Sequence, residues 1–203
     1  MATFHAIAAI GNSIRNLLAE SVPREVFPGA QFRLSQAANL ASPPFTDLGV
    51  SIYLHRIAFN ITRRNLPPRN TVDGPRFKPS VPLDLHFLIT AWARTAEAQW
   101  SLLACSIRML EDTPALPAAF LNQNAGSNAS GLPLTVFGEN EDVELVGENL
   151  NSQDLVNIWE VAKANQQPSV SYIARAVLID SMVEVPTGGL VQSRVFDLAT
   201  LAK

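Results

Sequence analysis

The sequence predicts an α+β domain, an antiparallel or mixed sheet of about four to six strands with two or three helices packed on it. Three observations carry this. The run from Val81 to Leu116 reads as one long alternating strand leading almost directly into one amphipathic helix. The segments from Gly49 to Asn60 and from Ser169 to Met182 read as strands with apolar residues on both faces, as interior strands require. No internal repeat is found, and the order α, β, β, α, short β pieces, α, β places long strands next to each other across a loop.

The elements follow in order. Ile7, Ile10, Ile14, Leu17 and Leu18 fall at helical spacing, with Thr3 as the expected N-cap and Pro23 as the stop. Residues 24–48 are rich in Pro, Ser and Asn and read mostly as loop, with a short strand around Phe32. In the strand from Gly49, one face is marked by Val50, Ile52 and Leu54, and the other by Tyr53, His55, Ile57 and Phe59. Residues 61–80 form a Pro-rich loop, and loops of this length without their own structure are usually functional or disordered.

The next strand sets Leu83, Leu85, Phe87, Ile89 and Ala91 on one face, and Asp84, His86, Leu88, Thr90 and Trp92 on the other. A helix follows over about residues 95–111, with Trp100, Leu103, Ala104, Ile107 and Leu110 as the expected buried stripe. On that reading, Trp100→Ala costs about 3–5 kcal/mol. Residues 117–149 are polar and loose, with short strands expected at residues 134–137 and 143–146. Ser152 is the expected cap of a helix carrying Leu155, Ile158, Trp159 and Ala162, with Leu150 as its staple and Gln167-Pro168 as its end. Past Gly188-Gly189, a last strand or arm is expected through Val191 to Leu198.

The 203 residues are expected to form a single domain, with long loops at 61–80 and 117–149. A chain of this length buries enough surface to fold without disulfide or metal. Charged residues make up only 16%, against roughly 25% in typical globular chains. Such sparse charge fits a large core, or a surface partly meant for other protein. The net charge of −3 gives no global case for nucleic acid binding. No apolar run reaches the length of a membrane span, and the N-terminus lacks the basic region of a signal peptide.

Chemistry-bearing motifs are absent. His55 and His86 lie on consecutive strands and can pair across the sheet, but a zinc site needs further ligands. Asp84 and His86 share a strand face, yet no Gly-x-Ser-x-Gly elbow supplies a nucleophile. The GSNASG stretch lacks the Lys-Ser/Thr of a phosphate loop, and the acidic stretch lacks calcium-loop spacing. Cys105, the lone cysteine, reads as a small buried residue. No catalytic, cofactor or metal residue is therefore expected.

Charge placement is more informative. Arg56, Arg63, Arg64, Arg69, Arg76 and Lys78 cluster with Asp73 as the only acid among them. Glu139, Glu141, Asp142, Glu144, Glu148 and Asp154 cluster with no base. Two solvated loops give this pattern, and so do complementary patches on neighbouring subunits joined head to tail. A phosphate grip by the basic loop has little aromatic support, with Phe59 and Phe77 the nearest rings in sequence.

The basic Pro-rich loop, the strand PLDLHFLITAWA, the helix ending MLEDTPAL and the later LNSQDLVNIWEVAKANQQPSVSYIARAVLID resemble the cap, or tail-terminator, family of phage-tail-like contractile injection systems. The resemblance covers roughly residues 3–183 and is strongest over 82–116 and 150–180. It implies a tail-terminator-like fold and a hexameric ring on the distal end of inner tube and sheath. It further implies contacts with the tube protein and the sheath protein, no cofactor and no catalytic residue. Assembly in the bacterial cytoplasm, then incorporation into the particle, follows from it. Residues 117–149 depart from the family pattern, being longer and more acidic. The alternative reading is an assembly chaperone or tube-initiating adaptor for another tail component.

Overall fold

Three long strands frame the computed structural model, which describes residues 2–42, 45, 47–70, 74–127, 131 and 133–186. In chain order the elements are α1 (Ala6–Ser21), β1 (Gln31–Ser35), α2 (Ala37–Ala41), β2 (Leu48–Phe59), a 3-10 turn (Ile61–Arg63), β3 (Arg69–Asn70) and β4 (Arg76–Phe77). Then come β5 (Val81–Ala93), α3 (Ala96–Glu111), β6 (Ala115–Leu116), α4 (Ala118–Gln123), β7 (Val143–Glu148), α5 (Ser152–Val161) and β8 (Ser169–Ile179). The six-stranded sheet runs β1-β2-β5-β8-β7-β6, with β3 and β4 as a separate small hairpin. It is mixed. β1 and β2 are parallel, linked through α2 as a parallel pair demands, and the other pairs are antiparallel.

The strand alternation of β5 decides which core forms on which face. Leu85, Phe87, Ile89 and Ala91 join the main core with Ile10, Ile14 and Leu18 of α1 and Leu102 and Leu110 of α3. Leu88 joins a second core on the other face, with Trp159 and Ala162 from α5 and its C-terminal end and Leu40 of α2. Tyr53, Trp92 and Leu150 pack against that second core. The Trp92 and Trp159 rings meet edge to face, 6.1 Å apart.

Several expectations are corrected. In α3 the buried line is Leu102, Ser106 and Leu110, while Trp100 is 60% exposed. Gln99 fixes the rotation, because its side-chain amide donates to the Ala91 carbonyl at 2.8 Å and to Gln167 Oε1 at 2.9 Å. Ser106 can face the core because its hydroxyl donates to the Leu102 carbonyl at 2.8 Å. Trp100 therefore carries no core burial, and the large truncation cost expected for it does not apply.

In β2 the register shifts between Leu54 and Arg56, leaving His55 as the extra residue of a bulge. Beyond it Ile57 pairs with Leu85 and Phe59 with Leu83. These two residues therefore share the face of Val50, Ile52 and Leu54, not that of Tyr53. Thr3 is not the N-cap of α1. His5 is, and the Thr3 hydroxyl accepts the His5 N–H at 3.4 Å. Asn151, not Ser152, caps α5, its side chain accepting the Asp154 N–H at 2.8 Å, and α5 ends at Val161, before Gln167-Pro168. Residues 24–48 hold β1 and α2, and residues 117–149 hold α4 and β7.

Residues 134–137 form no strand. They are held instead by Asn122, whose Oδ1 accepts the Val136 and Phe137 N–H groups, both at 2.8 Å. Its Nδ2 donates to the Phe137 carbonyl at 2.9 Å. The expected strand or arm through Val191 to Leu198 lies outside the described residues.

Candidate interaction surfaces

One end of the sheet brings the basic and acidic clusters together. There β2 finishes, β5 begins, β8 finishes and β7 begins. Asp84 organises it. Its carboxylate accepts from Asn60 Nδ2 at 3.0 and 3.2 Å and from the Ala176 backbone N–H at 2.8 Å. Asn60 Oδ1 in turn accepts the Arg63 N–H at 3.0 Å and caps the 3-10 turn. Arg63 thus overhangs a cleft whose other wall holds Asp142, Glu144 and Arg175. A neighbouring cleft is shared by Arg63 with Glu141 and Asp142.

The remaining bases are spread along the same edge. Arg56 is exposed beside the bulge, and Arg64 lies over the Phe59 ring at 5.7 Å. Arg76 and Lys78 are exposed, while Arg69 stacks on Phe77 at 4.9 Å and faces Asp180 at 3.8 Å. Asp73 lies outside the described residues.

The acids divide by role. Glu139 is exposed. Glu141 accepts the Gly138 N–H at 2.7 Å, and Asp142 accepts the first N–H of α4 at 3.3 Å. Glu144 faces Arg175 at 4.0 Å. Glu148 is turned into the subunit, where it meets His86 Nδ1 at 3.0 Å and the Ser171 hydroxyl at 2.7 Å. Arg63 is thereby brought beside Glu141, Asp142 and Glu144, whereas Glu148 belongs to a separate cluster.

That cluster pairs the two histidines, their rings 6.0 Å apart. His55 Nε2 lies 3.5 Å from Ser171 Oγ. Burial, then the neighbouring His86 charge, lowers the His55 pKa from its usual 6.5. Burial works against the Glu148 charge, but hydrogen bonds from His86 and Ser171 outweigh it and hold that carboxyl below its usual range. Burial pushes the Cys105 thiol up, the opposite of what activates a nucleophile. Among the described residues no group of three or more His, Cys, Asp or Glu is placed to hold a metal ion. Among them also, no helix is long and apolar enough to cross a membrane.

Sequence reasoning missed the apolar residues left exposed around these charges. Phe4, Phe59, Ile61 and Met182 are 69%, 62%, 83% and 84% exposed. Phe59 reads in sequence as one face of an interior strand, and its exposure follows only from the pairing, since β1 ends opposite Tyr53.

The fold is thus a mixed sheet with a helix layer on each face and with charged and exposed apolar groups near one end. The chain belongs to the Pvc16 N-terminal domain family, which it matches over residues 9–193. Its fold is shared with two solved structures. One is the sheath/tube terminator of an extracellular contractile injection system, PVC, in its extended state, with a TM-score of 0.59 and 16% identity over 97% of this chain and 65% of that one. The other is the tube-terminating cap of the anti-feeding prophage, with a TM-score of 0.60 and 15% identity over 93% of this chain and 60% of that one. The chain thus spans less than two thirds of the length of either. No curated protein matches it.

Proposed function

We propose that this chain is a subunit of the terminating cap of a contractile injection system, closing the inner tube and the sheath as a ring. The observation that carries this is the likeness, over 97% of the chain, to a sheath/tube terminator, joined to the family match over residues 9–193. The chain acts as one domain without catalysis or cofactor, and its partners are copies of itself, the tube protein and the sheath protein. Six copies match the symmetry that the terminator resemblance implies. The subunit is made in the bacterial cytoplasm and ends as part of the particle.

Neighbouring copies meet through this charged end, with Arg56, Arg63, Arg64, Arg76 and Lys78 of one copy set against Glu139, Glu141, Asp142 and Glu144 of the next. Arg69 and Glu148 serve inside the subunit on this reading. Electron microscopy of particles from a strain lacking the chain tests the role. Overlong or ragged tubes with unstable sheaths are expected, and particles of normal length with stable sheaths would overturn it.

A further inference from the structure

β1 pairs with β2 only from Gly49 to Tyr53, and among the described residues no strand covers the outer edge of β2 from Leu54 to Phe59. The Asn60 N–H donates to the Pro82 carbonyl of β5 at 3.0 Å. Backbone direction alternates along an antiparallel strand, so the N–H and C=O groups of Phe59 and Ile57 point away from β5, into the open side. The same two residues carry exposed apolar side chains. An edge built to avoid pairing would carry charge or proline there. Arg56, on the opposite strand face, is exposed and forms no ion pair among the described residues.

A second open edge lies on residues 182–185, which run along the outside of the β3–β4 hairpin. The Lys78 N–H donates to the Val183 carbonyl at 2.9 Å, and the Val185 N–H donates to the Arg76 carbonyl at 2.7 Å, setting Glu184 opposite Phe77. In that pattern the Glu184 N–H and C=O point away from β4, and neither has a hydrogen-bond partner among the described residues. Val183 and Glu184 are exposed, and Glu184 forms no ion pair among the described residues. One edge is thus apolar and basic, the other apolar and acidic. Within one chain they stay apart, because residues 183–185 bond to β4 and not to β2. Two β2 edges would set the Arg56 side chains of both copies close together, which disfavours that pairing. Ser181 and Met182 share a groove with Leu134, Thr135 and Val136, which lead into the acidic cluster, so the second edge continues the acidic side of the ring contact.

We propose that residues 182–185 of one copy add to the open edge of β2 in the next copy as a parallel strand, with Glu184 opposite Ala58. In this register the Glu184 N–H donates to the Ile57 carbonyl, and the Phe59 N–H donates to the Glu184 carbonyl. Val183 and Val185 fall beside Ile57 and Phe59 on one face, and Glu184 lies diagonal to Arg56 on the other. The two edges are different patches, so each subunit gives one and receives on the other, a heterologous contact that closes when the copies form a ring. The inference rests on the ring reading above and names one contact within it.

Cysteine pairing in the full chain tests it. Cys105→Ala is made throughout, Ile57→Cys in one tagged copy and Val183→Cys in a differently tagged copy. The two are mixed with tubes, oxidised, and viewed by electron microscopy in parallel. A disulfide between the two tags is expected, with a yield about tenfold above that of Arg56→Cys with Val183→Cys, whose side chains lie on opposite faces. Arg56→Glu in the Ile57→Cys copy should lower the yield, and Glu184→Arg in the Val183→Cys copy should restore it. Equal yields from the two pairings, no rescue by the exchanged charges, or rings without the disulfide would overturn this contact and leave the proposed function standing. A disulfide formed only within one chain, in an Ile57→Cys/Val183→Cys double variant, would overturn it likewise. Tubes that carry no ring even with the parent chain would overturn the proposed function, and this contact with it.

Discussion

Asp84 on β5 accepts a hydrogen bond from the backbone N–H of Ala176 on β8 at 2.8 Å, and Ala176 sits at a left-handed φ of 55°. The register between these strands shifts at this point, between Leu83 and Leu85. The carboxylate therefore satisfies an N–H that the bulge removes from the ladder. The same carboxylate holds Asn60, and through it the turn that carries Arg63. One acid thus joins the strained strand, the end of β2 and the basic loop.

Asp84→Ala leaves the Ala176 N–H and the Asn60 amide without their acceptor. It is expected to destabilise the fold by about 2–3 kcal/mol, as loss of hydrogen bonds to a charged group does. Ala176→Gly keeps the bond and relieves the left-handed strain, so it should stabilise by about 0.5–1 kcal/mol. Urea unfolding of both variants checks the opposite signs. A destabilised Ala176→Gly would show that the strain account is wrong.

The two tryptophans of α3 and α5 should behave differently. Trp159 is 1% exposed and Trp100 is 60% exposed. Trp159→Ala is expected to cost about 3–5 kcal/mol, and Trp100→Ala less than about 1 kcal/mol. The Trp159 indole N–H is buried without a hydrogen-bond partner among the described residues, so Trp159→Phe should lie within about 1 kcal/mol of the parent. Thermal unfolding of the three variants is the measurement.

These tryptophans also mark how far the fold was legible. β5 alternates without a break, and its two faces are legible in sequence because a period of two admits one register. In α3, apolar residues lie on more than one helical line, so the pattern alone does not select the line that holds Leu102 and Leu110 over the one that holds Trp100. The true rotation is set by Gln99, whose partners Ala91 and Gln167 are on other elements. The β2 bulge at His55 was hidden for the same reason, since a register shift is a property of two strands. The short helices α2 and α4 span five and six residues, too few for a periodic pattern to show. The charge clusters were visible as segments. That Glu148 turns inward to His86 while Glu144 faces Arg175 depends on the pairing of β7 with β8.

Acid should weaken the fold in two stages. His55 has a folded pKa below its unfolded 6.5, so the unfolded chain binds more protons and stability falls as pH drops from 6.5. Burial sets this first, with the charges of His86 and Arg56 acting in the same direction and those of Glu148 and Asp154 opposing it. Glu148 is also depressed, so its contribution is full above 4.5 and is lost as pH falls through its folded value. His55→Asn should flatten the first stage and reduce the second only slightly, because the His55 charge is the last of the causes that depress Glu148. Denaturation midpoints from pH 8 to about pH 2 test this, and an unchanged slope below pH 6.5 in His55→Asn would remove His55 as the cause.

Arg63→Glu with Arg64→Glu reverses the charge of the turn that Asp84 and Asn60 hold in place. Both side chains are exposed, and the bonds that shape the turn come from the Arg63 backbone N–H. The double variant is therefore expected to fold with a melting temperature within about 2 °C of the parent. Its association should fail, because the reversed charge would join the acids of its own clefts in repelling Glu139, Glu141, Asp142 and Glu144 of the next copy. Association of the parent should weaken as salt rises, since exposed charges are screened beyond about 8 Å at physiological ionic strength. Light scattering across a salt series, with particle assembly as the second readout, decides between outcomes. Normal assembly of the double variant would place the ring contact elsewhere on the subunit. Salt-independent association of the parent would point to the apolar residues, Phe59 and Ile61 first, because they flank the same turn and remain 62% and 83% exposed.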